Sequence, residues 1–138
     1  MSERSLRIVF IVLATFHLAF GLYMLIDPGG FFDRIARYGD RNDHYIGDLG
    51  TVYLAYGAAL ALAVGRPTWR APVLVVLALW YGAHAVNHLF DIGEAESDAR
   101  GIRDTALLAL GAVFFAWLAR ISERVRVGAA ASGDRGSG

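Results

Sequence analysis

The stretch Ala71-Pro-Val-Leu-Val-Val-Leu-Ala-Leu-Trp-Tyr-Gly-Ala-His-Ala-Val-Asn-His-Leu-Phe90, followed directly by Asp91, decides how the rest of the chain is read. It is long enough to cross a bilayer, because a hydrocarbon core of about 30 Å takes about 20 residues at about 1.5 Å each. Its second half nevertheless carries His84, Asn87, His88 and Asp91, spaced three, four and seven residues from His84. On a helix those spacings place all four on one side. Leu77, Trp80 and Tyr81 continue the same side toward the other end. Ionisable groups at membrane depth are costly, so they usually face a bundle interior and often mark a site.

Working outward, the apolar residues of this 138-residue chain fall in four blocks, roughly 6–26, 46–65, 71–90 and 103–121. Each is close to bilayer-spanning length. A soluble four-helix bundle would show a polar face along every helix. The first block breaks that rule, being apolar all round from Ile8 to Ile26 except at Thr15 and His17. The pattern therefore predicts an all-α fold, a four-transmembrane-helix antiparallel bundle. One domain over 1–127 is expected, with a disordered tail over 128–138 from its Gly, Ala and Ser composition. The first block is too long for a signal-peptide core and is read as an uncleaved span.

The absence of cysteine excludes disulfides, thiol relays and thiolate-held metals or clusters. A net charge of zero gives no case for nucleic acid as a partner. Arginine sets the expected orientation. Arg4, Arg7, Arg66, Arg70, Arg120, Arg124, Arg126 and Arg135 lie on the side of the two termini, against Arg34, Arg37, Arg41, Arg100 and Arg103 on the other. The positive-inside rule then puts both termini in the cytoplasm of a multi-pass inner-membrane protein.

Between the first two spans, Phe31-Phe-Asp-Arg-Ile-Ala-Arg-Tyr38 follows the turn signal Asp27-Pro-Gly-Gly30. Its aromatic and aliphatic residues share one side, which suits a short interfacial amphipathic helix or a lid on the outer ends of the spans. Gly21 on the first span, and Gly47, Gly50 and Gly57 on the second, offer small positions for close helix packing. The short connection Gly65-Arg-Pro-Thr-Trp-Arg70 makes the second and third spans a hairpin. His44, Asp48, Thr51 and Ala55 form a polar-leaning side of the second span.

Depth then groups the candidate site residues. His17 lies near mid-membrane, His84 and His88 successively further outward, and Asp48 and Asp104 in the outer turns of their spans. A pocket in the outer leaflet half, with His17, Trp80, Tyr81, His84, Asn87, His88, Asp91, Asp48 and Asp104 as candidate ligand contacts, would suit three kinds of occupant. A metal would use His84 and His88, with His17 or Asp48 completing the set. A haem would take axial histidines from different spans, such as His17 and His84. A quinone or similar apolar ligand would sit among Phe20, Tyr56, Trp80 and Tyr81, hydrogen-bonded to His17 or His84. Against all three stands a purely structural role, since interhelical polar contacts hold membrane bundles together at about 0.6 kcal/mol each. In that case the chain is a non-enzymatic accessory or scaffold subunit. It would act as a homo-oligomer or within a larger membrane complex.

Four short spans, the exit Gly-Leu-Tyr-Met-Leu-Ile-Asp-Pro-Gly-Gly-Phe-Phe over 21–32 and a glycine-rich second span resemble the DoxX-like superfamily of small bacterial membrane proteins. The resemblance covers residues about 6–121. It implies a place beside quinone-linked or other redox systems, often as an accessory subunit, and carries over no catalytic residue.

Overall fold

A computed structural model describes residues 1–134. Five α-helices follow one another: α1 (Glu3–Ile26), α2 (Pro28–Arg34), α3 (Asp43–Val64), α4 (Pro67–Phe90) and α5 (Asp98–Asp134), with one 3-10 turn at Ile92–Glu94. Among the described residues α1, α3, α4 and α5 are long and apolar enough to cross a membrane. They run antiparallel in sequence order, so both termini lie at one end, here the termini end, opposite the far end.

Local chemistry sets the boundaries. The Ser2 side chain accepts from Ser5 N at 3.1 Å and starts α1. The Asp27 carboxylate accepts from Gly30 N at 2.8 Å and starts α2, with Pro28 in its first turn. Asn42 accepts from His44 N and Tyr45 N and starts α3. Each cap satisfies amide groups that a helix start leaves unpaired. At the other terminus α5 runs on through residues 128–134, where a disordered tail was expected. The alanines over 129–131 are strong helix formers that extend an existing helix at little cost. Residues 135–138, the rest of that expected tail, lie outside the described residues.

The helices pair tightly as α1 with α3 and as α4 with α5, while α3 and α4 touch less and α1 and α5 share no extended backbone contact. Glycine explains the first pairing. A β-carbon on Gly21 would lie 2.7 Å from the Gly50 carbonyl oxygen, and one on Gly57 would lie 2.6 Å from Leu18 Cγ. Only hydrogen there lets the two backbones come so close. Gly47, expected to do the same, has nothing nearer than Leu25 Cδ2 at 3.9 Å.

A core of Leu6, Phe10, Leu60, Leu74, Leu77, Phe115 and Leu118 fills the termini half. Here all four spans meet. Arg70, only 2 % exposed, closes this end. It donates to both Glu3 carboxylate oxygens at 2.8 Å, to Ala63 O at 3.2 Å and to Val64 O at 3.0 Å. One guanidinium thus ties α1 to α4 and neutralises the last carbonyls of α3.

A second, aromatic core occupies the far half around Met24, Phe31, Ile46 and Tyr53. Phe31 is buried against Phe20 and Tyr23, which makes α2 a lid on the bundle end. The lid helix stops at Arg34, short of the expected Tyr38. Beyond it the chain extends and pairs with the α4–α5 connection: Gly39 N donates to Glu94 O, and Glu96 N to Arg37 O. This strap, with a bridge between Tyr38 and Ala95, wins over the local helical pattern because it satisfies backbone groups of two loops at once.

Candidate functional site

The site begins with a difference in packing along the bundle. At the termini end α1 and α5 converge through Phe10, Phe115 and Leu118. Toward the far end α5 contributes nothing to the aromatic core, and a cavity of about 640 Å³ lies between α1, α4, α5 and the strap, with Leu49 and Tyr53 of α3 also in its lining. Its lower walls are apolar, from Phe16, Phe20 and Met24 of α1, Phe31 of α2, and Leu107 and Leu108 of α5. Its upper walls are polar, from His84, Asn87, His88 and Asp91 of α4, Asp104 of α5 and Tyr38 of the strap.

His84 and His88 stand one helical turn apart with their rings stacked at 4.7 Å between centroids. The Tyr38 ring meets His88 edge-on at 4.6 Å, and its hydroxyl donates to Asp104 Oδ2 at 3.4 Å. Burial, then the Asp104 carboxylate, raises the Tyr38 phenol above its ordinary pKa, so it stays protonated as a donor. Asp104 is also held by Arg103 at 2.7 Å, and Asn87 donates to Asp91 at 2.9 Å. His84 makes no hydrogen bond to any described residue, and His88 Nδ1 is buried without a partner. An imidazole pair with unused hydrogen-bonding capacity therefore stands among the polar upper walls, above apolar lower ones.

Below the chamber His17 is differently placed. It is 1 % exposed and ringed by Phe16, Tyr53, Tyr56, Tyr81 and Phe115. Its Nδ1 donates to Leu13 O at 2.8 Å, which leaves Nε2 to accept from the Tyr81 hydroxyl at 3.3 Å. Both nitrogens are engaged, and His17, expected among the ligand contacts, does not line the chamber. It positions Tyr81, whose ring forms part of the chamber floor. Gly111 makes room for that ring, because a β-carbon there would lie 2.8 Å from Tyr81 Cδ1.

Of the residues expected to converge, Tyr81, His84, Asn87, His88, Asp91 and Asp104 line one cavity. Trp80 stands behind it, 4.8 Å from His84 and packed on Tyr53 and Tyr56. Asp48 does not belong. Its side chain is 64 % exposed and lies 3.6 Å from His44 on the outward side of α3. The glycine and Tyr53 side of α3 is the one α1 covers, so the polar side must face out, near the helix end where it reaches water. His17 and His84, expected as a haem pair, do not line one space: His84 lines the cavity and His17 does not. Among the described residues no group of three or more His, Asp or Glu side chains is placed to hold a metal ion.

Among the lining residues that escaped the sequence reading are two tyrosines. Tyr53 lies on the Gly50, Gly57 and Leu60 side of α3, a spacing that already marks it as inward-facing. Tyr38 carries no such local signal, since the strap that turns it inward is made by residues more than fifty positions away. Compared with known proteins, the chain matches no family model, no curated protein and no solved structure.

Proposed function

We propose that this membrane protein binds an apolar, ring-bearing small molecule such as a quinone in the far-end cavity, with His84 and His88 as its polar contacts. The observation that carries the reading is the His84–His88 pair with unused hydrogen-bonding capacity at the polar end of an apolar chamber of about 640 Å³. Ligand sites are typically concave, mainly apolar and furnished with a few polar groups, at about 300–1,000 Å³. The DoxX-like resemblance leans the same way, toward a place beside a redox system. In this reading a bound ring oxygen hydrogen-bonds to His84 or His88, and Tyr38 and Asp104 extend that contact as a proton path to the far-end surface.

The orientation we propose puts the termini in the cytoplasm. Ion pairing supports it beyond the bare count of arginines. Arg34, Arg37, Arg41, Arg100 and Arg103 at the far end each lie within an ion pair. At the termini end Arg4, Arg7, Arg66, Arg120 and Arg124 are exposed and form no ion pair with a described residue. Among the described residues, arginines outside any ion pair are therefore confined to one end, which suits the anionic cytoplasmic leaflet.

The test is to purify the protein in mild detergent, extract it with organic solvent, and identify retained small molecules by mass spectrometry. A quinone or related ring compound retained by the natural chain, and reduced about tenfold by His84→Ala or His88→Ala, is the expected result, equivalent to about 1.4 kcal/mol. Equal recovery from both variants, or no binding of added quinone, would remove the reading.

A further inference from the structure

The cavity has two conceivable openings, and the structure treats them unequally. Its aqueous end lies beneath the strap. There the backbones of residues 37–39 and 94–96 are hydrogen-bonded to each other, and Glu96 joins Arg37 to Arg100. Arg100 adds a bond to Arg34 O at 3.3 Å, locking the strap to the lid helix. The side between α1 and α5 has no such closure. Those helices share no extended backbone contact, and the flanking Phe16 and Leu107 are 50 % and 59 % exposed. In a bilayer that side faces acyl chains.

Charge narrows the occupant. The cations at the chamber rim, Arg34 and Arg103, are each paired, with Asp27 and Asp104. An anionic headgroup would meet no free cation there and would face Asp91 and Asp104. A cationic one would find Asp104 already paired with Arg103 and Asp91 bonded to Asn87, and would leave water for a chamber with mainly apolar lower walls.

We infer that the cavity is loaded sideways from the membrane, through the gap between α1 and α5, by an uncharged lipid-soluble molecule carrying a neutral oxygen group. This rests on the ligand-binding reading above and adds the route and the charge class. The neutral head, a quinone carbonyl or an isoprenoid or sterol hydroxyl, reaches His84 and His88, while the hydrocarbon part lies against Phe16, Phe20 and Leu107. The side gap lets a long tail remain in the bilayer, so the chamber need hold only the ring.

The chain has no cysteine, which makes single-cysteine labelling clean. The full chain is placed in lipid nanodiscs with Trp69→Phe and Trp117→Phe, leaving Trp80 as the reporter beside His84. Quenching by decylubiquinone gives occupancy and rate. Leu107→Cys blocked with N-cyclohexylmaleimide is expected to slow binding at least tenfold relative to its own unlabelled form. The same label at Leu79→Cys, on the exposed side of α4, is expected to change nothing. Phe16→Cys, across the gap, repeats the test should Leu107→Cys fold poorly. Neutral dodecanol is expected to compete at least tenfold better than dodecyl phosphate. Binding at an unchanged rate through both blocked positions, or stronger competition by the anion, overturns the inference and leaves the ligand-binding reading standing. No quenching by decylubiquinone and no binding of a neutral sterol would remove both.

Discussion

Three buried or half-buried polar side chains divide the work between holding the bundle and serving the cavity. His17 spends both nitrogens on Leu13 and Tyr81, so His17→Ala should take the acceptor from the Tyr81 hydroxyl and open a hole among five rings. A loss of about 2–3 kcal/mol is expected for a buried hydrogen-bonded group of this size, read as a fall in melting temperature in detergent. His84→Ala should behave oppositely, weakening ligand binding while shifting the melting temperature little, because His84 makes no hydrogen bond to a described residue. Arg70 belongs with His17. Arg70→Ala should cost about 3 kcal/mol, since it takes the donor from the Val64 carbonyl, leaves Glu3 without its partner and frees the start of α1. Arg70→Lys should recover only part of that, because an ammonium cannot make the paired contact to Glu3.

At the scale of the elements, the α1–α3 interface and the strap make separate predictions. Gly50→Ala places a methyl 3.0 Å from the Gly21 carbonyl oxygen and from Met24 Cβ, neither of which moves freely. It should destabilise by about 1–3 kcal/mol, as overpacking does. Gly47→Ala, with only Leu25 Cδ2 at 3.9 Å, should be neutral or slightly stabilising through helix propensity. Equal melting temperatures for the two variants would contradict the described interface. In the strap, the raised Tyr38 pKa fixes the sign of a pH effect. The Tyr38–Asp104 bond contributes fully below the ordinary tyrosine pKa of about 10 and is lost as pH rises through the higher folded value. Tyr38→Phe should therefore be less stable than the natural chain at neutral pH, by under about 1 kcal/mol for a bond this long. That difference should vanish only in strong alkali.

For the whole molecule, the arrangement is two tightly paired helix couples joined along α3 and α4 and parted between α1 and α5. The polar cavity sits in that parting. α5 is 37 residues long, about 55 Å of helix, so it projects beyond a core of about 30 Å at the termini end. Its exposed Arg120 and Arg124, with Arg4, Arg7 and Arg66, form the unpaired basic collar. Single cysteines at Ser2 and Ala95 should report the resulting topology. In intact cells a membrane-impermeant maleimide is expected to label Ala95→Cys and to spare Ser2→Cys until the membrane is opened. The reverse pattern would invert the proposed orientation.

Hydropathy and length alone determined that this chain is a bundle of four apolar helices, because in hydrocarbon a backbone must satisfy its own hydrogen bonds within each span. The inward sides of α1 and α4 were equally legible, since the 3.6-residue repeat carries Phe10, Ala14, His17, Gly21 and Met24 to one side, and His84, His88 and Asp91 to another. Which polar groups share a space was decided only by the tertiary structure. Asp48 and His17 have depths and chemistries as suitable as those of His84. However, a helix's rotation about its axis is set by what packs on it, and the Gly21–Gly50 contact turns Asp48 outward. Tyr38 reaches the cavity only through pairing with residues 94–96, a long-range event that no local pattern encodes.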